Sequence, residues 1–304
     1  MTPVDVVDLA DAPMLAVVRH LAQVRGEAGP AWIRVVDPDL GGALPTGAAV
    51  AGGRHRSLRV WVELADRLGL RLRGPRPDGA GRVQLGFEPR DAAAPPSPDP
   101  RERYGTASAF AGIAKSEEPG FLLDLADALD RADLPPRPRI LELGINTGDA
   151  IALLGALRPD LTPVVVGVDH SASALTAARA RLAGVDVTLV EADLAQLPTL
   201  DLGRFDLVLA IGTLQSPGVD DRALLRHLIQ ARLTATGAVI LGVPNCRYHG
   251  GELVPGARMR NFSQPELGLI VKDVAFYRKY LQQHDREVFV TGHHYWFVTA
   301  RRRR

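Results

Sequence analysis

The sequence predicts an α/β protein: a doubly wound, mostly parallel seven-stranded sheet ending in an antiparallel hairpin, preceded by a small N-terminal α+β module. Three observations carry this expectation. Short apolar runs alternate with helical patterns between residues 139 and 243, two further apolar runs close the chain, and the Pro/Ala-rich stretch Asp91–Pro100 (DAAAPPSPDP) separates all of this from what precedes it.

In the N-terminal part, residues 3–24 have the apolar spacing of a helix. Residues 57–69 (SLRVWVELADRLG) form a second amphipathic pattern stopped by Gly69, and residues 82–87 alternate as a short strand. Residues 1–90 are therefore read as a module, 91–103 as a linker and 104–304 as the main domain. Within the main domain Gly120–Arg131 predicts a helix. The β-type runs are Arg139–Leu143, Val164–Val168, Asp186–Val190, Phe205–Ala210 and Ala238–Val243, with helical patterns at Asp149–Leu157, Ser173–Leu182 and Asp220–Leu233 between them. Right-handed crossovers place those helices over both faces of a parallel sheet. Ser263-Gln264-Pro265-Glu266 has capping-box spacing and opens a helix reaching about Gln283, and Glu287–Val290 and Tyr295–Ala300 flank a turn at Thr291-Gly292-His293-His294.

The 304 residues are 46% hydrophobic and 23% charged, a composition that excludes a disordered or fibrous chain. Net charge +1 supplies no global field for a polyanion. The single cysteine, Cys246, excludes an internal disulfide and a multi-cysteine zinc cluster, and no metal-ligand spacing is present. Asp5, Asp8 and Asp11 stand where a secretory signal would be basic, and no apolar run approaches membrane-spanning length, so the expected location is cytoplasmic.

In an open α/β sheet ligands bind beyond the carboxyl ends of the strands, so the residues following each strand carry the chemistry. The first strand runs into Glu142-Leu143-Gly144-Ile145-Asn146-Thr147-Gly148-Asp149, where Gly144 and Gly148 suit a backbone turn close to a ligand. Asp169 ends the second strand about 20 residues later, where a carboxylate can accept from both hydroxyls of a ribose. Asp193 follows the third strand, within reach of an adenine amino group. A dinucleotide fingerprint starting at Gly144 would require glycine where Asn146 and Asp149 stand, and Asp149 would oppose a pyrophosphate. A ligand with an ammonium and a sulfonium instead tolerates Glu142 and Asp149.

These motifs resemble those of the class I, Rossmann-like S-adenosylmethionine-dependent methyltransferases, over roughly Tyr104 to Ala300. The resemblance implies S-adenosylmethionine as cofactor, with Glu142, Gly144, Asn146, Gly148 and Asp149 around its methionine moiety. It further implies Asp169 with His170 at the ribose, Asp193 with Leu194 at the adenine, and Ala210 at the end of the fourth strand. Asn146 departs from the family's usual middle glycine. The hairpin at the end of the chain suits the family's antiparallel seventh strand.

On the acceptor side, Ala210-Ile211-Gly212-Thr213-Leu214-Gln215 lacks the Asn/Asp-Pro-Pro-aromatic signature of many amino-group methyltransferases of DNA and protein. Asn245, Tyr248, His249, Arg258 and Asn261 follow the fifth strand. His249 is the candidate general base and Tyr248 a second candidate catalytic residue, set against the alternative of a solvated loop histidine. The reaction expected is methyl transfer to an O or N atom of a small-molecule acceptor. The alternative is RNA: nine arginines between Arg54 and Arg90 against Glu63, Asp66, Asp78 and Glu88 could make the module an RNA dock, or else be a solvated surface. A lid or a homodimer contact are the module's other expected roles.

Overall fold

A computed structural model describes residues 6–24, 29–90, 106, 108, 112–249, 252–255 and 267–303. The chain divides into two compact units, Met1–Ala93 and Ala94–Arg304. The expected linker, residues 91–103, lies outside the described residues, as do Tyr104, Arg258, Asn261 and the capping box at Ser263–Glu266.

In the first unit, β1 (Val6–Asp8), β2 (Ala31–Val36), β6 (Arg82–Pro89) and β5 (Leu70–Pro77) form a four-stranded sheet in the order β1-β2-β6-β5, and β3 (Ala49–Val50) and β4 (Gly53–Arg54) make a small separate pair. Helices α1 (Met14–Gln23) and α2 (Leu58–Leu68) pack on one face, burying Val17, Leu21, Trp61 and Leu64 against Ile33, Val35, Leu85 and Phe87. Gly69 ends α2 in the left-handed conformation, φ 69°. The helix expected over residues 3–24 is corrected: Val6–Asp8 pairs with β2 in parallel, Asp8 Oδ1 accepts from the Ala10 N–H (3.1 Å), and Pro13 sets the true start of α1.

In the second unit, α3 (Pro119–Ala132) precedes β7 (Arg139–Leu143), α4 (Asp149–Leu157), β8 (Val164–Asp169), α5 (Ala172–Arg181), β9 (Asp186–Glu191), β10 (Phe205–Ile211), α6 (Asp221–His227) and β11 (Leu233–Pro244). A short hairpin, β12 (Cys246–His249) with β13 (Glu252–Pro255), leads on to α7 (Leu267–Gln283), β14 (Arg286–Thr291) and β15 (Tyr295–Arg302). The sheet order is β14-β15-β11-β10-β7-β8-β9. Only β15 runs against the others, because both its pairings, with β11 and with β14, are antiparallel while the remaining pairings are parallel. The predicted α/β class and seven strands therefore stand.

Central strands are buried on both faces: Leu141, Leu143, Val208 and Val239 pack into one core, Ile140, Leu207, Leu209 and Ile240 into the other. The helix expected over Asp220–Leu233 is shorter, since a π-helical turn at Leu228–Arg232 hands the chain directly to β11. Buried Arg232 fixes that turn by donating to the Leu197 carbonyl (3.0 Å) and to that of Leu200. Among the described residues no helix is long and apolar enough to cross a membrane.

Candidate functional site

The expected cofactor residues stand at the carboxyl ends of β7, β8 and β9, with Ala210 on β10. After β7 the chain turns through Gly144 (φ 67°), whose N–H donates to the Val168 carbonyl at 2.8 Å, as does that of Ile145 at 3.2 Å. Asn146 takes a positive φ of 48°, a conformation that asparagine tolerates better than most residues, and its backbone N–H donates to Asp169 Oδ2 at 2.9 Å. The other carboxylate oxygen of Asp169 accepts from the Ser171 N–H (2.9 Å), and the Asp169 carbonyl accepts from the Ala192 N–H (2.9 Å). Asp169 thus ties the β7 turn, the start of α5 and the end of β9 to one another.

Glycine at 144 and 148 is required by the chain itself. A Cβ at Gly144 would lie 2.7 Å from Thr213 Oγ1, and one at Gly148 (φ 81°) would lie 2.9 Å from Leu182 Cδ1 beyond the end of α5. Asp149, first residue of α4, is ion-paired to Arg181 of α5 and accepts from Thr147 Oγ1 at 2.8 Å, so it fastens the turn to the neighbouring helix. Asp193 is exposed and caps the following 3₁₀ turn through the Ala195 N–H (2.8 Å), with Leu194 half-buried beside it. His170 is exposed, whereas Ala210 is buried in the core between β10 and the helices.

Glu142 is the electrostatic outlier. It is 3% exposed, and its Oε2 has no hydrogen-bond partner among the described residues. Burial pushes its carboxyl well above the usual carboxylate range, partly countered by the charge of Lys115 and reinforced by that of Asp169. Lys115 stands over the rings of Phe121 and Tyr295, at 5.9 and 5.5 Å from their centroids.

The end of β10 carries features that sequence patterning did not single out. Thr213 is buried and donates to the Leu143 carbonyl at 2.8 Å, joining the turn after β10 to the glycine turn after β7. Two residues on, Gln215 Nε2 donates to the Tyr277 hydroxyl (3.2 Å), which itself donates to Asp221 Oδ2 at 2.6 Å. Tyr277, on α7, is completely buried in the core. A lone threonine or glutamine has no periodicity, so only the strand-end rule could have pointed to either.

Of the acceptor-side candidates, Asn245 follows β11 and donates its backbone N–H to the His294 carbonyl (2.8 Å). Tyr248 lies in β12 opposite Leu253, half-buried, with its phenol pushed above the ordinary range by burial and by Glu118. It is a hydrogen-bond donor at neutral pH and not a base. The backbone of His249 belongs to β12, while its side chain lies outside the described residues.

Seven of the nine arginines of the module have partners within it, while Arg59 and Arg67 are exposed. Arg54 pairs with Asp11, Arg71 and Arg73 with Glu88, Arg82 with Asp8 and Arg90 with Asp66. Arg56 is buried and donates to the Ala12 carbonyl, and Arg76 lies 3.6 Å above the Trp32 ring.

Residues 140–235 match a family described as a methyltransferase domain. A carboxy-S-adenosyl-L-methionine synthase from Campylobacter concisus (strain 13826) is 34% identical over 109 residues, which is 35% of this chain and 44% of that protein. The chain thus spans less than half the length of this relative. Among solved structures, the precorrin-6y C5,15-methyltransferase of Geobacter metallireducens GS-15 is similar at TM-score 0.41 and 18% identity, over 59% of this chain and 88% of that one. A methyltransferase from Geobacter sulfurreducens in complex with S-adenosyl-L-homocysteine is similar at TM-score 0.38 and 22% identity, over 55% and 64%.

Proposed function

Residues 140–235 are a methyltransferase domain of the class I, Rossmann-like type, and on that premise we propose that the chain transfers a methyl group from S-adenosylmethionine to an O or N atom of a small molecule. The observation that carries this reading is Asp169. Each of its oxygens accepts one backbone N–H and keeps a further acceptor site, which suits the paired hydroxyls of a ribose. Glu142, sealed and with an unpartnered oxygen, suits the ammonium of a methionine moiety, and an ion pair there would restore its ionised form. These residues fit the cofactor.

Bound, the cofactor supplies an activated methyl: the acceptor lone pair bonds to the methyl carbon as the carbon–sulfur bond breaks and its electron pair stays on sulfur. Orientation is the protein's main contribution to such a displacement. Thr213 holds the β10 turn against the β7 turn, and the Asp149–Arg181 pair holds the start of α4. Asn146, Gly144 and Gly148 line the methionine side in this reading, His170 the ribose edge, and Asp193 with Leu194 the adenine, while Ala210 backs the site from the core. The base is assigned to His249 for acceptors that must lose a proton, with the Tyr248 phenol as a donor.

RNA as substrate is not favoured, since most of the arginines that would hold its phosphates are engaged within the module. Calorimetry tests the cofactor assignment: S-adenosylmethionine and S-adenosylhomocysteine should bind and NAD should not. Binding of NAD alone would overturn it.

A further inference from the structure

Three oxygen atoms at the carboxyl ends of three neighbouring strands are shut off from solvent without a hydrogen-bond partner among the described residues: Glu142 Oε2 on β7, Gln215 Oε1 after β10 and Asn245 Oδ1 after β11. Two of them are amides, and their orientation is fixed by what holds the other end. The one hydroxyl proton of Tyr277 goes to Asp221 at 2.6 Å, so toward Gln215 the phenol oxygen can only accept. Gln215 must therefore present Nε2 to Tyr277 and keep Oε1 on the far side. Asn245 Nδ2 faces the His293 carbonyl at 3.2 Å, an acceptor, so its Oδ1 is likewise the unpaired end.

A sealed carbonyl oxygen without a donor is costly, and oxygens left so at the ends of adjacent strands suit a ligand that brings donors. Among the described residues, the charged groups acting on Glu142, Cys246, Tyr248 and Tyr277 are Lys115 and the carboxylates Glu118, Asp169, Asp221 and Asp273, the last offset by Arg222 and Lys272. Gln215 and Asn245 are each half-buried as whole residues. The β10 turn is within one hydrogen bond of the glycine turn through Thr213, and Gly212 donates to the Gly242 carbonyl of β11 at 2.7 Å. Gln215 and Asn245 accordingly follow the two strands that continue the sheet from β7.

We propose that the oxygens of Gln215 and Asn245 receive N–H or O–H donors of the methyl acceptor, which is therefore an amine or hydroxyl compound and not an anion. This rests on the methyl-transfer reading above. Tyr277 is the positioning residue, acting through Gln215.

The test uses the full chain with S-adenosylmethionine and the small-molecule fraction of a cell extract, divided by ion exchange into anionic, neutral and cationic pools, with release of S-adenosylhomocysteine as readout. Turnover should be confined to the neutral and cationic pools. In the active pool Gln215→Met and Asn245→Leu should each raise the apparent acceptor KM about tenfold or more, with the KM for S-adenosylmethionine within about twofold of wild type. Tyr277→Phe should raise the acceptor KM in the same direction, a split that a merely structural role would not produce. Turnover confined to the anionic pool, or an unchanged acceptor KM in both amide variants, would overturn the proposal. Wild-type protein that binds the cofactor yet releases nothing from any pool would overturn the methyl-transfer reading and this inference with it. If both amide variants fail to fold, the choice of pool and the Tyr277→Phe split decide alone.

Discussion

The Thr213 hydroxyl donates to the Leu143 carbonyl at 2.8 Å, 70 residues away in sequence, and this single bond joins the turns that follow two adjacent strands. It also explains Gly144: a Cβ there would collide with the same hydroxyl at 2.7 Å. Thr213→Val keeps the shape and removes the donor, at a cost of about 1 kcal/mol of stability. The expected outcome is a melting temperature a few degrees lower, together with an affinity for S-adenosylhomocysteine reduced severalfold by a loosened glycine turn. Thr213→Ser should retain most of both. Equal affinity in all three proteins by calorimetry would show that the turn is held by other contacts.

Asp169→Ala should lower cofactor affinity about ten- to a hundredfold, the worth of hydrogen bonds to a charged acceptor. From its place at a strand end, such an acid is expected to contribute little to the fold. The two backbone N–H groups that Asp169 accepts, from Asn146 and Ser171, alter that expectation. Their loss should also destabilise the ligand-free protein by about 1–3 kcal/mol. Asp169→Asn can accept with only one oxygen and should fall between alanine and wild type. Chemical denaturation of the three proteins without ligand, beside titration with S-adenosylhomocysteine, separates the two effects.

The parallel core was legible because strands covered on both faces must be apolar throughout, as in Val164–Asp169, and because Asp149–Leu157 carries its own helical start and stop. The position of Asp169 and Asp193 at strand ends followed from the same strand assignments. What escaped is what depends on tertiary pairing. In β5, LRLRGPRP reads as a polar loop until Arg73 and Arg71 are seen against Glu88 of β6, and Val6–Asp8 is too short to show a period of its own. Gln215 and Tyr277 stand 62 residues apart, and no local pattern announces their contact. The assignment of the glycines to the ligand was natural from sequence, but the atoms a Cβ would strike belong to Thr213 and Leu182.

A chain beginning at Arg101 should fold and bind S-adenosylhomocysteine with wild-type affinity. Each of the three hydrophobic cores lies wholly within one unit: Val17 to Phe87 supply one, and residues from Phe121 onward supply the other two. Circular dichroism and calorimetry on the truncated protein check this. Turnover should fall more than affinity if the module serves the acceptor. Aggregation of the truncated chain would mean that the two units depend on each other to fold.

Glu142 gives the protein a pH dependence whose sign follows from its burial. Its carboxyl is raised when folded, so the folded state holds a proton that the unfolded chain releases near the ordinary value of 4.5. This group's contribution is therefore fully present below that pH and is lost as the pH rises through the higher folded value. Glu142→Gln removes the dependence. It should be more stable than wild type at neutral pH, with the advantage vanishing below about pH 4.5. The same proton bears on binding, because an ammonium placed against Glu142 favours the ionised form. Binding of S-adenosylhomocysteine should release protons wherever free Glu142 is protonated, detectable as a calorimetric enthalpy that varies with the ionisation enthalpy of the buffer. In Glu142→Gln that variation should disappear and affinity should fall, while Lys115→Met, which removes the nearby charge favouring the carboxylate, should extend proton release to higher pH. Buffer-independent enthalpies in the wild type across the acid range would place the ammonium away from Glu142.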